Sequence, residues 1–220
     1  MKQYPVILYN YGGPGSQLVI NRWGAGSHTL HQYFASRDFI IFSFDNRGTG
    51  GRGKAFKDLA YGDYGKYLVK DHIEAAKYLQ GLTYVDGDNI GIWGWSGGGY
   101  LTNMCMTLAS DYFKAGISIA PNVEPLLYDT IWTERYMGLV EENPEGYKNA
   151  SVFTHVDKAK GTGGSPTPTF LPKMFTHSID RLESLVENEN LPWANKLINI
   201  TSNHETAMQK FQKIAMQSEN

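Results

Sequence analysis

The stretch Asn89-Ile90-Gly91-Ile92-Trp93-Gly94-Trp95-Ser96-Gly97-Gly98, followed by Tyr100-Leu101-Thr102-Asn103-Met104-Cys105-Met106, decides the fold. Its first five residues are apolar and strand-like, and its last seven can begin a helix. Between them stands Gly94-Trp95-Ser96-Gly97-Gly98, a G-x-S-x-G pentapeptide on a strand-to-helix turn. So sharp a turn brings backbone close to the serine, and the flanking positions must then lack a Cβ. It also lifts the hydroxyl above the end of the sheet, where a base can reach it. In this setting the pentapeptide reads as a nucleophile elbow rather than a glycine-rich turn beside an ordinary serine.

Working outward, strands and helices alternate. Pro5 to Asn10 reads as a strand ended by Gly12-Gly13-Pro14-Gly15. His28 to Arg37 suits a helix, and Phe39 to Phe44 is a continuous apolar run, as expected of a strand buried on both faces. A glycine-rich loop, Asp45 to Gly53, comes next. Lys70 to Gln80 has Ile73, Ala75, Ala76 and Leu79 spaced for a buried helical stripe. After the elbow, Ala115 to Ile119 is a further strand. Alternation of this kind implies an α/β three-layer sandwich, with a mostly parallel central sheet covered by helices on both faces.

Composition narrows the function classes. The 220 residues suit a single domain, 1–220, able to bury roughly 70% of its unfolded surface. A net charge of −2 gives no electrostatic case for a nucleic-acid partner or an anionic membrane surface. One cysteine, Cys105, excludes an internal disulfide and any multi-cysteine metal site, and its apolar neighbours place it in the core. No cofactor or metal is expected. No apolar run is long enough to span a bilayer and no export signal opens the chain, so as written it reads as cytoplasmic. The sequons Asn149-Ala150-Ser151 and Asn199-Ile200-Thr201 carry no consequence in a chain that is not exported.

Four motifs in order carry a resemblance. They are Tyr9-Asn10-Tyr11-Gly12-Gly13-Pro14-Gly15-Ser16-Gln17, Asp45-Asn46-Arg47-Gly48-Thr49-Gly50-Gly51-Arg52-Gly53, Gly91-Ile92-Trp93-Gly94-Trp95-Ser96, and Tyr128-Asp129 with Thr133-Glu134-Arg135-Tyr136-Met137-Gly138. Over roughly residues 4–155 the chain resembles the dipeptidyl peptidase IV branch of the prolyl oligopeptidase-like serine peptidases. That resemblance implies an α/β-hydrolase catalytic domain acting on a peptide substrate, with proline or alanine favoured at the second position. It also implies roles. Ser96 is the nucleophile, and the Gly97 N–H and the Tyr11 hydroxyl form the oxyanion hole. Tyr128 lines the pocket for the proline ring, and Trp132 stands where the family usually has a second tyrosine. A flat aromatic wall suits a rigid imide ring because it buries apolar area without demanding hydrogen bonds. Position 97 departs from the tyrosine frequent in the family, which costs a side chain but not the backbone donor.

The glycine-rich loop reads as architectural within this resemblance. Gly48, Gly50 and Gly53 match G-x-G-x-x-G by spacing alone, since a dinucleotide site needs a helix opening right there. Lys54-Ala55-Phe56-Lys57-Asp58 is a poor, late candidate for one.

The resemblance breaks where the catalytic acid belongs. At the place of the family's H-G-x-x-D-D-N-V loop the chain has Gly161-Thr162-Gly163-Gly164-Ser165-Pro166-Thr167-Pro168-Thr169, without a carboxylate. It resumes faintly. Ser178 to Val186 reads as an amphipathic helix, Lys196 to Ile200 as a strand, and Asn203-His204 follows it as the family's catalytic histidine does, with Glu205 where glycine is usual. His204 is therefore the expected base, ahead of His155 and His177. Asp157 and Asp180 are the nearest carboxylates, neither fits the motif, and the acid stays unassigned. Because Met1 immediately precedes the first strand, the family's propeller and first sheet strands are expected to be missing. Exposed strand edges are then expected to favour a homo-oligomer. Two other readings stand beside the peptidase: a non-catalytic truncated remnant of one, and a small serine esterase with its acid elsewhere.

Overall fold

A computed structural model describes residues 2–22 and 28–159. The segments expected at 161–175, 178–186 and 196–204, with His177, Asp180 and His204, lie outside the described residues.

Among the described residues four parallel strands form the sheet: β1 (Tyr4–Asn10), β2 (Ile40–Phe42), β3 (Val85–Trp95) and β4 (Ala115–Ile119), in the spatial order β2-β1-β3-β4. Side chains alternate across it. On one face Val6, Leu8, Ile90 and Ile92 pack against α3 (Leu68–Gln80) and α4 (Gly97–Leu108), with Leu79, Leu101, Met104 and Cys105 among the buried partners. On the other, Ile7, Tyr9, Trp93, Ile117 and Ile119 meet Leu30 and Phe34 of α1 (His28–Ala35). This is the three-layer α/β-hydrolase sandwich. Cys105 is fully buried, and burial pushes its thiol pKa up.

The strand order has a functional consequence. From β1 the chain moves to β2 on one side, while from β3 it moves to β4 on the other. The loops leaving β1 and β3 therefore diverge, and a crevice opens between the carboxyl ends of these two neighbours. Asn10 is paired in register with Gly94, so Tyr11 and Ser96, each just beyond its strand, stand at that crevice.

Two local readings need correction. The apolar run 39–44 yields a strand of only three residues, all half-buried. It ends the sheet among the described residues, and its one neighbour, β1, pairs with it only at Val6–Leu8. The buried face of α3 is Leu68, Val69, His72, Ala76 and Leu79, whereas Ile73 and Ala75 are half-buried. Lys54–Lys57 forms one helical turn, α2, which begins only after Gly53, in line with its reading as a poor, late candidate.

The first α-helix after β4 carries Trp132 into the crevice wall. Asp129 caps α5 (Thr130–Met137) by accepting a hydrogen bond from the Trp132 N–H at 2.8 Å. Asn143 caps α6 (Pro144–Ala150) through the Gly146 N–H, with Pro144 in the first turn, where no N–H is needed. A 3₁₀ segment, Val152–Lys158, then packs back on α4.

Candidate active site

The elbow is built by close approach. Ser96 has φ 53° and ψ −113°, a conformation that side-chain-bearing residues rarely adopt. Its N–H donates to the Ile119 carbonyl at 2.9 Å, and its own carbonyl accepts from the Tyr100 N–H at 2.9 Å. Strain of this kind costs about 1–3 kcal/mol and persists only where the surroundings over-determine it. The two glycines of the pentapeptide do that. A Cβ on Gly94 would stand 2.7 Å from the Asn10 carbonyl oxygen, and one on Gly98 would collide with the same carbonyl. Gly97 has no such requirement, since a Cβ there would lie 3.5 Å from Tyr11 Cε1 and 3.6 Å from its Cζ. The same distances show that the Tyr11 ring lies over residue 97.

Two loops hold Tyr11 in place. Gly12 turns the chain with φ +70°. Asn46, buried in the glycine-rich loop, donates from Nδ2 to the Gly12 carbonyl at 3.3 Å, and the Gly50 N–H donates to the Ser16 carbonyl at 2.6 Å. Asp45 accepts from the Leu18 and Val19 N–H groups and pairs with Arg52 at 3.0 Å. Arg47 makes a forked contact with Asp71 of α3, its Nε 2.9 Å from Oδ1, and lies 4.3 Å from the Tyr67 ring centroid. Both loop arginines are thus committed to carboxylates of the chain itself.

Beside Ser96 opens a hollow lined by Tyr11, Gly97, Asn122, Tyr128, Trp132, Tyr64 and Tyr100. Its wall is a linked set of rings: Trp132 meets Tyr64 edge-on at 5.4 Å, Tyr128 edge-on at 5.5 Å and Tyr136 at 5.0 Å. Burial, then the nearby Glu124 carboxylate, pushes the Tyr64 phenol pKa up; burial does the same for Tyr100. Both phenols are neutral at any working pH. The Tyr100 hydroxyl donates to the Ala150 carbonyl at 2.7 Å.

All five expected site residues within the described range therefore converge on one crevice. Sequence reasoning missed Tyr64, Tyr100 and Asn122. Asn122 had one usable signal, its place just beyond the carboxyl end of the strand read at Ala115–Ile119, the end at which Ser96 also stands. Tyr64 and Tyr100 gave none, because they reach the hollow only through packing. Of the weaker candidates, Asp157 is exposed and does not line the hollow. His155 is buried, its Nε2 2.8 Å from the Asn149 carbonyl. Among the described residues no three His, Cys, Asp or Glu side chains gather as metal ligands, and no helix is long and apolar enough to cross a membrane.

Comparison with known proteins agrees with this geometry. The chain is 42% identical over 166 residues to "Probable dipeptidyl peptidase 4" of Emericella nidulans, covering 74% of this chain and 21% of that protein. It is 42% identical over 153 residues to "Probable dipeptidyl-aminopeptidase B" of Penicillium rubens, covering 69% and 17%. The chain thus spans about a fifth of the length of the curated relatives it matches. The crystal structure of Porphyromonas gingivalis dipeptidyl peptidase 4 superposes with a TM-score of 0.73 at 32% identity, over 98% of this chain and 31% of that one. The model of the prolyl oligopeptidase family matches residues 27–212. The chain belongs to the prolyl oligopeptidase family of serine peptidases.

Proposed function

We propose that residues 1–220 form the catalytic α/β-hydrolase domain of a dipeptidyl peptidase-like enzyme, with Ser96 as its nucleophile. The observation that carries this reading is the position of Ser96, strained at the head of α4, at the switch point of the sheet, with Tyr11 across the crevice. Ser96 Oγ attacks the scissile carbonyl and forms an acyl-enzyme that water then releases. The tetrahedral oxyanion is received by the Tyr11 hydroxyl and the Gly97 N–H. The latter belongs to the first turn of α4, where N–H groups lack intrahelical acceptors and the helix dipole favours negative charge. The aromatic hollow holds the residue before the scissile bond. It offers rings and no charged side chain, which fits proline or alanine and disfavours a charged residue. The names of the relatives support release of dipeptides, and the order of residues supports His204 as the base.

Hydrolysis of a Gly-Pro or Ala-Pro ester tests the reading. Ser96→Ala should abolish turnover. Tyr11→Phe should lower kcat about 10²–10³-fold, the loss typical of one oxyanion donor, with little change in KM. An unchanged rate in Ser96→Ala removes Ser96 from the mechanism, and a pure KM effect removes Tyr11 from the oxyanion hole.

We further propose that the chain self-associates through a sheet edge, since β2 and β4 end the sheet among the described residues. A monodisperse monomer in sedimentation at high concentration contradicts this.

A further inference from the structure

Among the described side chains that line the hollow, Asn122 alone is a carboxamide. We propose that Asn122 sets specificity there, by hydrogen bonding a hydroxyl on the residue before the scissile bond, as carried by serine or 4-hydroxyproline. The inference rests on the hollow being the place of that residue, and narrows what the hollow selects. The backbone holds Asn122 firmly. β4 pairs with β3 as far as Ile119 beside Trp95, and the Ile119 carbonyl holds the Ser96 N–H at 2.9 Å. The chain then turns at Ala120, φ 45°, and is caught again where the Val152 N–H donates to the Val123 carbonyl at 2.9 Å. Asn122 therefore stands between two anchored points. It approaches Ser96 from the β4 side of β3, whereas Tyr11 approaches from the β1 side.

An asparagine just beyond a strand commonly spends its side chain on its own turn. Asn122 does not: its half-buried carboxamide makes no hydrogen bond among the described residues. The turn is fixed by Glu124 instead, which accepts from the Leu126 N–H at 3.2 Å and from the Ser151 hydroxyl at 2.6 Å. Other polar groups of the hollow are committed. Ser96 and Tyr11 serve the reacting carbonyl, and the Tyr100 hydroxyl donates to the Ala150 carbonyl. Asn122 thus offers an unspent acceptor, Oδ1, and an unspent donor, Nδ2, beside a wall of rings. A methyl group or a plain pyrrolidine ring covers that amide without pairing it, and a polar group desolvated and left unpaired is penalised. A hydroxyl pairs it. Alanine and proline still fit by size, but the hydroxylated member of each pair, serine or 4-hydroxyproline, is held more tightly.

The test compares two pairs of ligands that differ by one hydroxyl: Gly-Ala against Gly-Ser amide, and Gly-Pro against Gly-4-hydroxyproline amide. Dissociation constants are measured by nuclear magnetic resonance titration of the full chain carrying Ser96→Ala, which cannot consume them, with and without Asn122→Leu. Leucine matches asparagine in size and has no hydrogen-bonding group. The expected result is that the hydroxylated ligand of at least one pair binds about three- to tenfold more tightly than its partner, the usual worth of one hydrogen bond. Asn122→Leu should erase that preference and leave the Gly-Ala and Gly-Pro amides bound at least as well. A preference in the serine pair alone assigns the hydroxyl to Cβ of the bound residue, and one in the 4-hydroxyproline pair alone assigns it to the ring. Equal binding within both pairs, or a preference that survives Asn122→Leu, overturns the proposal and leaves the reading of the hollow standing. Failure of all four ligands to bind the folded chain overturns the reading of the hollow, and the proposal with it.

Discussion

Gly98 and Gly97 sit side by side at the head of α4, yet their backbones face different demands. Gly98 lies against the Asn10 carbonyl with no room for a Cβ, whereas Gly97 faces the Tyr11 ring at ordinary contact distance. Gly98→Ala must push β1 and α4 apart where Tyr11 and Ser96 are aligned. The expected cost is about 1–3 kcal/mol of stability, the usual range for overpacking, with loss of any serine reactivity. Gly97→Ala should leave the urea midpoint and the reactivity close to wild type. Equal destabilisation of the two variants, measured by urea unfolding, contradicts the close approach described for the elbow. The same contrast means that position 97 has room for a side chain and position 98 does not.

At the scale of elements, the wall of the hollow depends on where α5 starts. Asp129 receives the Trp132 N–H and so fixes the turn on which Tyr128 and Trp132 both stand. Asp129→Ala should cost about 1 kcal/mol, the usual worth of an N-cap. It should raise KM for a proline-containing ester more than it lowers kcat, and a kcat effect alone would place Asp129 elsewhere in the chemistry. Much of this architecture was legible beforehand. β4 was read to the residue, because Ala115–Ile119 is an apolar run with clear ends. The elbow was read from its glycines, whose steric need is local. The misreadings share a different cause. β2 is shorter than its apolar run because pairing depends on a neighbour the run itself does not reveal. His72 escaped the α3 stripe because histidine counts as polar, although it lies fully buried 4.6 Å from the Phe44 ring. Tyr64 and Tyr100 enter the hollow only once α3, α4 and α5 have packed together.

For the whole molecule, His72 links folding to pH. Burial drives its pKa down from 6.5 to about 4, opposed by its Nδ1 contact with the Leu68 carbonyl at 2.8 Å and by the Asp71 charge. Above pH 6.5 the imidazole is neutral in both folded and unfolded chains, so titration contributes nothing. Between the two values only the unfolded chain takes up the proton, so stability falls as the pH falls from 6.5 towards 4. At about 1.4 kcal/mol per pH unit, the full loss is about 3 kcal/mol. His72→Leu should flatten this part of the stability–pH curve, as measured by denaturant unfolding across that range. A variant that keeps the wild-type slope would show that another group carries it.

The central claim is that the fold presents Ser96, at the switch point of its sheet, as a reactive nucleophile. Treatment of the folded chain with a fluorophosphonate, followed by mapping of the adduct by mass spectrometry, tests that claim most directly. The account predicts a single adduct on Ser96, lost in Ser96→Ala and in His204→Ala. A folded wild-type chain that stays unlabelled, or one labelled at another residue, contradicts it.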